Sequence, residues 1–184
     1  MNRLDAKKAS KIKGFSLIEL LLSVAVLGIL IAVSLPSFQD TIESQVTVSQ
    51  IKVMQTALNL ARSEAIKRGR NVAICPSNDG VDCDAGDWDE GWVVFVDAND
   101  DANGSAGSID NGDTIIRVFD SLGSSSVLTG TTNLLEFNSF GFNDSGAIVT
   151  FKICPESNNA DNARSLEVAL AGRPRRIEDG LACP

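Results

Sequence analysis

Glu19 is the residue of this chain whose chemistry most demands a partner. It is the fifth residue of an apolar run, Phe15 to Leu35, in which nothing else is charged. A carboxylate at that depth of an apolar segment costs several kcal/mol unless a cation meets it. Upstream, Arg3, Lys7, Lys8, Lys11 and Lys13 stand against Asp5 alone. A second reactive group closes the chain: Gly172-Arg-Pro-Arg-Arg176 places Arg173, Arg175 and Arg176 within four residues. Planar guanidinium forks suit phosphate or carboxylate partners. A third group is the set of four cysteines, Cys75, Cys83, Cys154 and Cys183.

Several chemistries are excluded by what is missing. The chain has no His and no Tyr. A Ser-His-Asp or Cys-His nucleophile cannot be assembled, and the commonest zinc ligand is lacking. No Cys-x-x-Cys pair occurs. No enzymatic activity, catalytic residue, cofactor or metal site is therefore expected. One loop invites calcium: Asn99, Asp101, Asn103, Gly104 and Asp110 partly follow an EF-hand spacing. Its first position is Asn and its twelfth is not Glu, and its flanks read as strands. An exposed hairpin loop explains it better, since Asn, Asp and Gly satisfy turn geometry.

The cysteines read as structural. An even count outside the cytoplasm implies disulfides. Three pairings are possible, and proximity in the chain favours Cys75–Cys83 with Cys154–Cys183. The formal charge is −8; loss of the first fourteen residues, five basic and one acidic, takes it to −12. An acidic body of that kind is soluble and is no general nucleic-acid binder.

These groups need elements to hold them. As a helix, Phe15 to Leu35 would extend about 31 Å, one hydrocarbon core. After Pro36 the pattern turns amphipathic. Phe38, Ile42, Val46, Ile51, Met54, Leu58, Ala61 and Ala65 recur at mostly three- and four-residue steps. Gln39, Asp40, Glu43, Gln50, Lys52, Asn59 and Arg62 fill the polar side, and Gly69 suits the residue after a helix end. One helix is predicted from about Phe15 to Arg68, kinked near Pro36. Short strands then follow at Asn71–Cys75, Trp92–Val96, Thr114–Phe119, Leu134–Phe137, Ala147–Cys154 and Ser165–Ala171, separated by Gly/Asn/Asp/Ser turns. In the last, Leu166, Val168 and Leu170 alternate on one face. The fold class is α+β: a long N-terminal helix packed against an antiparallel β-sheet head. Four segments are expected: a leader 1–14, an apolar half-helix 15–36, an amphipathic half-helix 37–69 and a disulfide-stapled head 70–184.

Gly14-Phe-Ser-Leu-Ile-Glu19-Leu-Leu resembles the processing site of type IV pilins and type II secretion pseudopilins. The resemblance implies cleavage by a prepilin peptidase between Gly14 and Phe15, N-methylation of Phe15, and retention of the apolar segment. An ordinary signal peptide cut near Ala32-Val33-Ser34 is the plain alternative, but such segments are shorter and carry no Glu. In the resembling family the glutamate meets the N-terminal amine of a neighbouring subunit. Cleavage would thus create the cation that neutralises Glu19 and set subunit register. Ala61-Arg-Ser-Glu-Ala-Ile-Lys-Arg-Gly69, Cys75-Pro76 and Gly91-Trp-Val-Val-Phe-Val-Asp97 resemble the GspH/FimT group of minor pilins and pseudopilins. That resemblance implies a type IV pilin-like fold, a place in the bacterial inner membrane with the head in the periplasm, and later a place in a pilus or pseudopilus. Its partners would be other pilins or pseudopilins. Some members of the group take up DNA through a C-terminal Gly-Arg-x-Arg segment, which Arg173 and Arg175 match with Arg176 beside them. The plain reading of those arginines is a solvated turn paired with Glu178, Asp179 or a neighbouring subunit.

Overall fold

The structure, a computed structural model, describes residues 14–84, 86–98, 109, 112–123, 126–177 and 182–183, without the side chains of 33–37. The basic leader and the Asn99–Asp110 loop positions fall outside the described residues, as do Glu178 and Asp179. The chain divides into two compact units, Met1–Gln39 and Asp40–Pro184. Helix α1 is Leu17–Arg68. In the first unit every described side chain from Phe15 to Ala32 is exposed, Glu19 included.

In the second unit α1 turns one stripe inward. Thr47, Ile51, Met54, Leu58, Ala61 and Ala65 are fully buried, at alternating steps of four and three. That is the spacing a 3.6-residue turn places on one face. The helix stops at Gly69, which adopts a φ of 63°. There the Gly69 and Arg70 N–H groups donate to the Ala65 carbonyl at 2.9 and 3.3 Å, satisfying a carbonyl that the helix end would otherwise orphan.

Eight strands follow: β1 Val72–Pro76, β2 Gly91–Val96, β3 Thr114–Asp120, β4 Ser126–Gly130, β5 Leu135–Phe137, β6 Val149–Pro155, β7 Arg164–Val168 and β8 Pro174–Ile177. They form two antiparallel four-stranded sheets, β3-β2-β1-β5 and β4-β6-β7-β8. β1 and β2 are apolar at nearly every position and are buried throughout. Val72, Ile74, Trp92, Val94 and Val96 join the main core with the helix stripe; Ala73, Cys75, Val93 and Phe95 form a second cluster on the other face. The second sheet sends Phe151, Ile153, Leu166 and Val168 into the main core. Trp88, in a short 3-10 turn, meets Phe151 edge-on at 4.9 Å and donates its indole N–H to the Thr132 carbonyl at 2.9 Å. All buried apolar residues among those described lie between Ile51 and Val168, so the second unit holds its own core.

Four expectations are corrected. Phe38 and Ile42 do not join the buried face; they are 66% and 49% exposed, because the inward stripe starts at Thr47. Gln50, assigned to the polar side, is buried and donates Nε2 to the Leu122 carbonyl at 3.1 Å. β7 ends at Val168, and Leu170, expected inside, is exposed in the following turn. The arginine segment is not a free loop: Pro174 to Ile177 pair with β7 as an edge strand.

Candidate functional site

Glu19 lies in the first turn of α1, where a negative charge suits the helix dipole. Among the described residues no basic group pairs with it, and Leu17, Ile18, Leu20, Leu21 and Leu22 around it are exposed. An apolar helical surface of this kind is stable in water only when something covers it. Among the described residues no helix is long and apolar enough to cross a membrane.

The cysteines fall into two bonds. Cys75 joins Cys83, and Cys154 joins Cys183, with Cα separations of 5.5 and 5.8 Å. The first bond closes a turn that its own polar groups organise. Asp79 Oδ1 accepts from the Val81 and Asp82 N–H groups at 2.8 and 3.2 Å. Those two backbone donors hold the Asp79 carboxyl below its usual range. The Asn78 N–H donates to Asp84 Oδ2 at 2.9 Å. The second bond returns the C-terminal tail to β6, where Lys152 Nζ donates to the Ala182 carbonyl at 2.6 Å.

The three arginines do not share one face. Arg175 stands opposite Glu167 in the β7–β8 ladder and Arg176 opposite Leu166. Side chains alternate across a strand, so the two point to opposite sides. Arg175 donates Nε and Nη2 to Glu167 Oε1 at 2.9 and 2.6 Å. Arg173 precedes the strand; it and Arg176 are exposed and make no ion pair among the described residues.

Gly172 is held by packing. Its φ is 73°, and a Cβ there would fall on the Gly141 carbonyl oxygen. That same oxygen accepts from Arg62 Nε of α1 at 2.9 Å. The glycine of the Gly-Arg-Pro-Arg-Arg segment thus lets the β7–β8 turn sit on the Asn138–Phe142 turn, and the helix arginine binds that turn. Asn138 Oδ1 accepts from the Phe140 and Phe142 N–H groups at 3.0 and 3.1 Å, and leaves both rings on the surface. Sequence reasoning passed over these phenylalanines. Phe-Gly-Phe carries no local signal that separates an exposed pair from a core pair.

At the helix end, Glu64 accepts from Arg68 Nε at 2.6 Å and Lys67 Nζ at 3.2 Å. Arg68 first, then Lys67, holds its carboxyl below the usual range. Farther back, Glu43 Oε2 accepts from Ser157 Oγ and Asn162 Nδ2 at 2.8 and 3.1 Å, and Thr47 Oγ1 donates to the buried Asn162 carbonyl at 2.7 Å. These bonds fix the helix against the turn between β6 and β7.

A family profile described as "Type II transport protein GspH" matches residues 50–172, two thirds of the chain. The chain belongs to the GspH family. A second profile, "Prokaryotic N-terminal methylation motif", matches residues 9–35. Members of this GspH group are pilins and pseudopilins, structural subunits that assemble with one another. A fimbrial protein of Pseudomonas aeruginosa is 44% identical over 61 residues, covering 33% of this chain and 38% of that protein. One of Moraxella nonliquefaciens is 34% identical over 89 residues, 47% of this chain and 57% of that protein. The GspH-family chain thus spans about two fifths to three fifths of the curated relatives it matches. The crystal structure of the Pseudomonas aeruginosa type IV minor pilin FimU aligns with a TM-score of 0.54 at 22% identity, over 71% of this chain and 87% of that one. The likeness shows that the GspH-family chain has the type IV pilin-like fold.

Proposed function

We propose that this chain is a minor pilin of a type IV pilus, incorporated at or near the filament tip to support assembly. Prepilin peptidase cuts between Gly14 and Phe15, and Phe15 becomes the methylated N-terminus. The apolar half of α1 anchors the subunit in the inner membrane, with the head in the periplasm. With residues 33–35 included, the run from Phe15 reaches the length of a span. The helix then passes from lipid into the filament.

The observation that carries this reading is the pairing of a methylation motif with the apolar half of α1, where every described side chain from Phe15 to Ala32 is exposed. Such a surface is built to be buried by neighbours. Glu19 is the one charge in it, and the free amine of a neighbour's Phe15 is the cation that processing supplies. Burying the carboxylate without that amine would cost several kcal/mol. Each subunit would therefore enter only in the register that brings the two together.

The fimbrial names of the relatives support the pilus reading, and the type II transport description of the family profile supports its rival, a type II secretion pseudopilus. The test is to delete the gene and measure two outputs together: sheared surface fibres and secreted protein. The pilus reading expects fewer fibres, normal secretion, and the chain itself present in the sheared fraction. Normal fibres with blocked secretion would assign it to the secretion machine instead. The DNA-uptake reading loses support from the arrangement of the arginines, since Arg175 is engaged by Glu167 and Arg176 faces the other side of the sheet.

A further inference from the structure

Gly14, Phe15 and Ser16 are exposed and lie outside α1, which begins at Leu17. The Glu19 and Leu20 N–H groups donate to the Ser16 carbonyl at 3.0 and 3.1 Å. Ser16 is thus the N-cap: it stands outside the helix while its carbonyl accepts the first helical bond. Serine is among the residues that suit this place best, because its hydroxyl can accept from an N–H group of the first turn. Phe15, one residue upstream, offers no such group.

An apolar setting makes the cap matter. A helix leaves its first four N–H groups without a helical partner. In lipid no water is at hand to satisfy them. From Phe15 to Leu22 only Ser16 and Glu19 carry polar side chains, and of the two Ser16 holds the N-cap position. With the serine hydroxyl lost, the next residue upstream that suits an N-cap is Gly14. A helix capped there would take its first bond from the Ile18 N–H to the Gly14 carbonyl, four residues back. That carbonyl belongs to the bond that processing cuts.

We propose that Ser16 is a positioning residue for processing: as the N-cap it starts α1 past the scissile bond and keeps the Gly14 carbonyl out of the helix. The inference rests on the Gly14–Phe15 cut proposed above. In that hydrolysis water adds to the Gly14 carbonyl carbon and the C–N bond to Phe15 breaks. A Gly14 carboxylate and a Phe15 ammonium result. A carbonyl that accepts a helical bond points along the helix axis, and its peptide cannot lie extended across a peptidase. One that stands before the N-cap can. Ser16 takes no part in the breaking bond; it acts through the backbone that it stops from winding.

Purified prepilin peptidase acting on the full-length chain in lipid vesicles tests this, with Ser16→Ala and Ser16→Asn beside the wild type. Asparagine caps a helix about as well as serine, and alanine does not. Ser16→Ala should be cut severalfold more slowly, and Ser16→Asn should restore the rate to within about twofold of wild type. The carbon-13 shift of the Gly14 carbonyl in the uncut chain should move toward helical values in Ser16→Ala alone. Equal rates for alanine and serine would overturn the inference and leave the processing reading standing. So would a loss shared by alanine and asparagine, since the peptidase would then read the serine itself, or a slow Ser16→Ala whose Gly14 shift stays put. A wild-type chain that is not cut between Gly14 and Phe15 would remove the processing reading and this inference with it.

Discussion

Gly172 and Gly69 share a backbone conformation, with φ of 73° and 63°, and differ in their surroundings. That makes them a controlled pair. Around Gly69 nothing stands within 4 Å of a would-be Cβ. Gly69→Ala should cost only the left-handed strain, about 1 kcal/mol. At Gly172 a Cβ lands on the Gly141 carbonyl oxygen and lies 3.2 Å from Arg62 Nε. The methyl must push the two turns apart, and the Arg62–Gly141 bond of 2.9 Å goes with them. A hydrogen bond to a charged group contributes about 1.5–3 kcal/mol. Gly172→Ala should therefore cost about 2.5–4 kcal/mol in all. Urea unfolding of a fragment beginning at Asp40, which keeps every buried apolar residue among those described, measures both. Equal costs at the two positions would refute the claim that packing, and not conformation alone, requires the glycine. The distinction bears on function, because it gives Gly172 a structural reason to precede the arginines whether or not they bind anything.

Other consequences follow from the same geometry. Replacing Cys154 and Cys183 by Ser opens a loop of sequence separation 29, worth about 3.6 kcal/mol on loop entropy, against about 2.5 for Cys75 and Cys83 at separation 8. Calorimetry should show the larger drop in melting temperature for the first pair; the reverse order would contradict the loop-length account. The Asp79 carboxyl is lowered from 3.8 by its two backbone donors. Its stabilisation is therefore present above the unfolded value and lost as pH falls through the folded one, below about pH 4. The gap in melting temperature between wild type and Asp79→Asn should shrink as pH drops from 5 to 2.5; a widening gap would reverse the sign of the argument. Glu19→Ala should be processed normally yet appear in sheared fibres at much reduced yield, and wild-type yield would remove its registering role.

Much of the architecture was legible because its signals are local. The 3.6-residue stripe from Ile51 to Ala65 and the apolar runs of β1, β2 and β6 announce themselves in the sequence. β4 did not, since Ser126-Val-Leu-Thr-Gly130 turns only Leu128 into the core among its apolar side chains and owes its form to pairing with β6. β8 was hidden for the same reason: Pro-Arg-Arg-Ile has no alternation, and the ladder with β7 makes it a strand. Periodicity continued through Phe38 and Ile42, but periodicity does not say where a helix begins to meet a sheet. The candidate site divides in the same way. Glu19 and the cysteines stand out by type and position. The separation of Arg175 from Arg176, the approach of Gly172 to Gly141 and the exposure of Phe140 depend on long-range packing.

The central claim is that Phe15 becomes an N-terminus and its amine becomes the partner of Glu19. The most direct measurement is the intact and N-terminal peptide mass of the protein extracted from membranes of its own cells. The account predicts a chain that starts at Phe15, carries one extra methyl on its amine and retains the whole apolar segment. A chain that starts at Met1, or one cut near Ser34 so that Glu19 is lost, would contradict it.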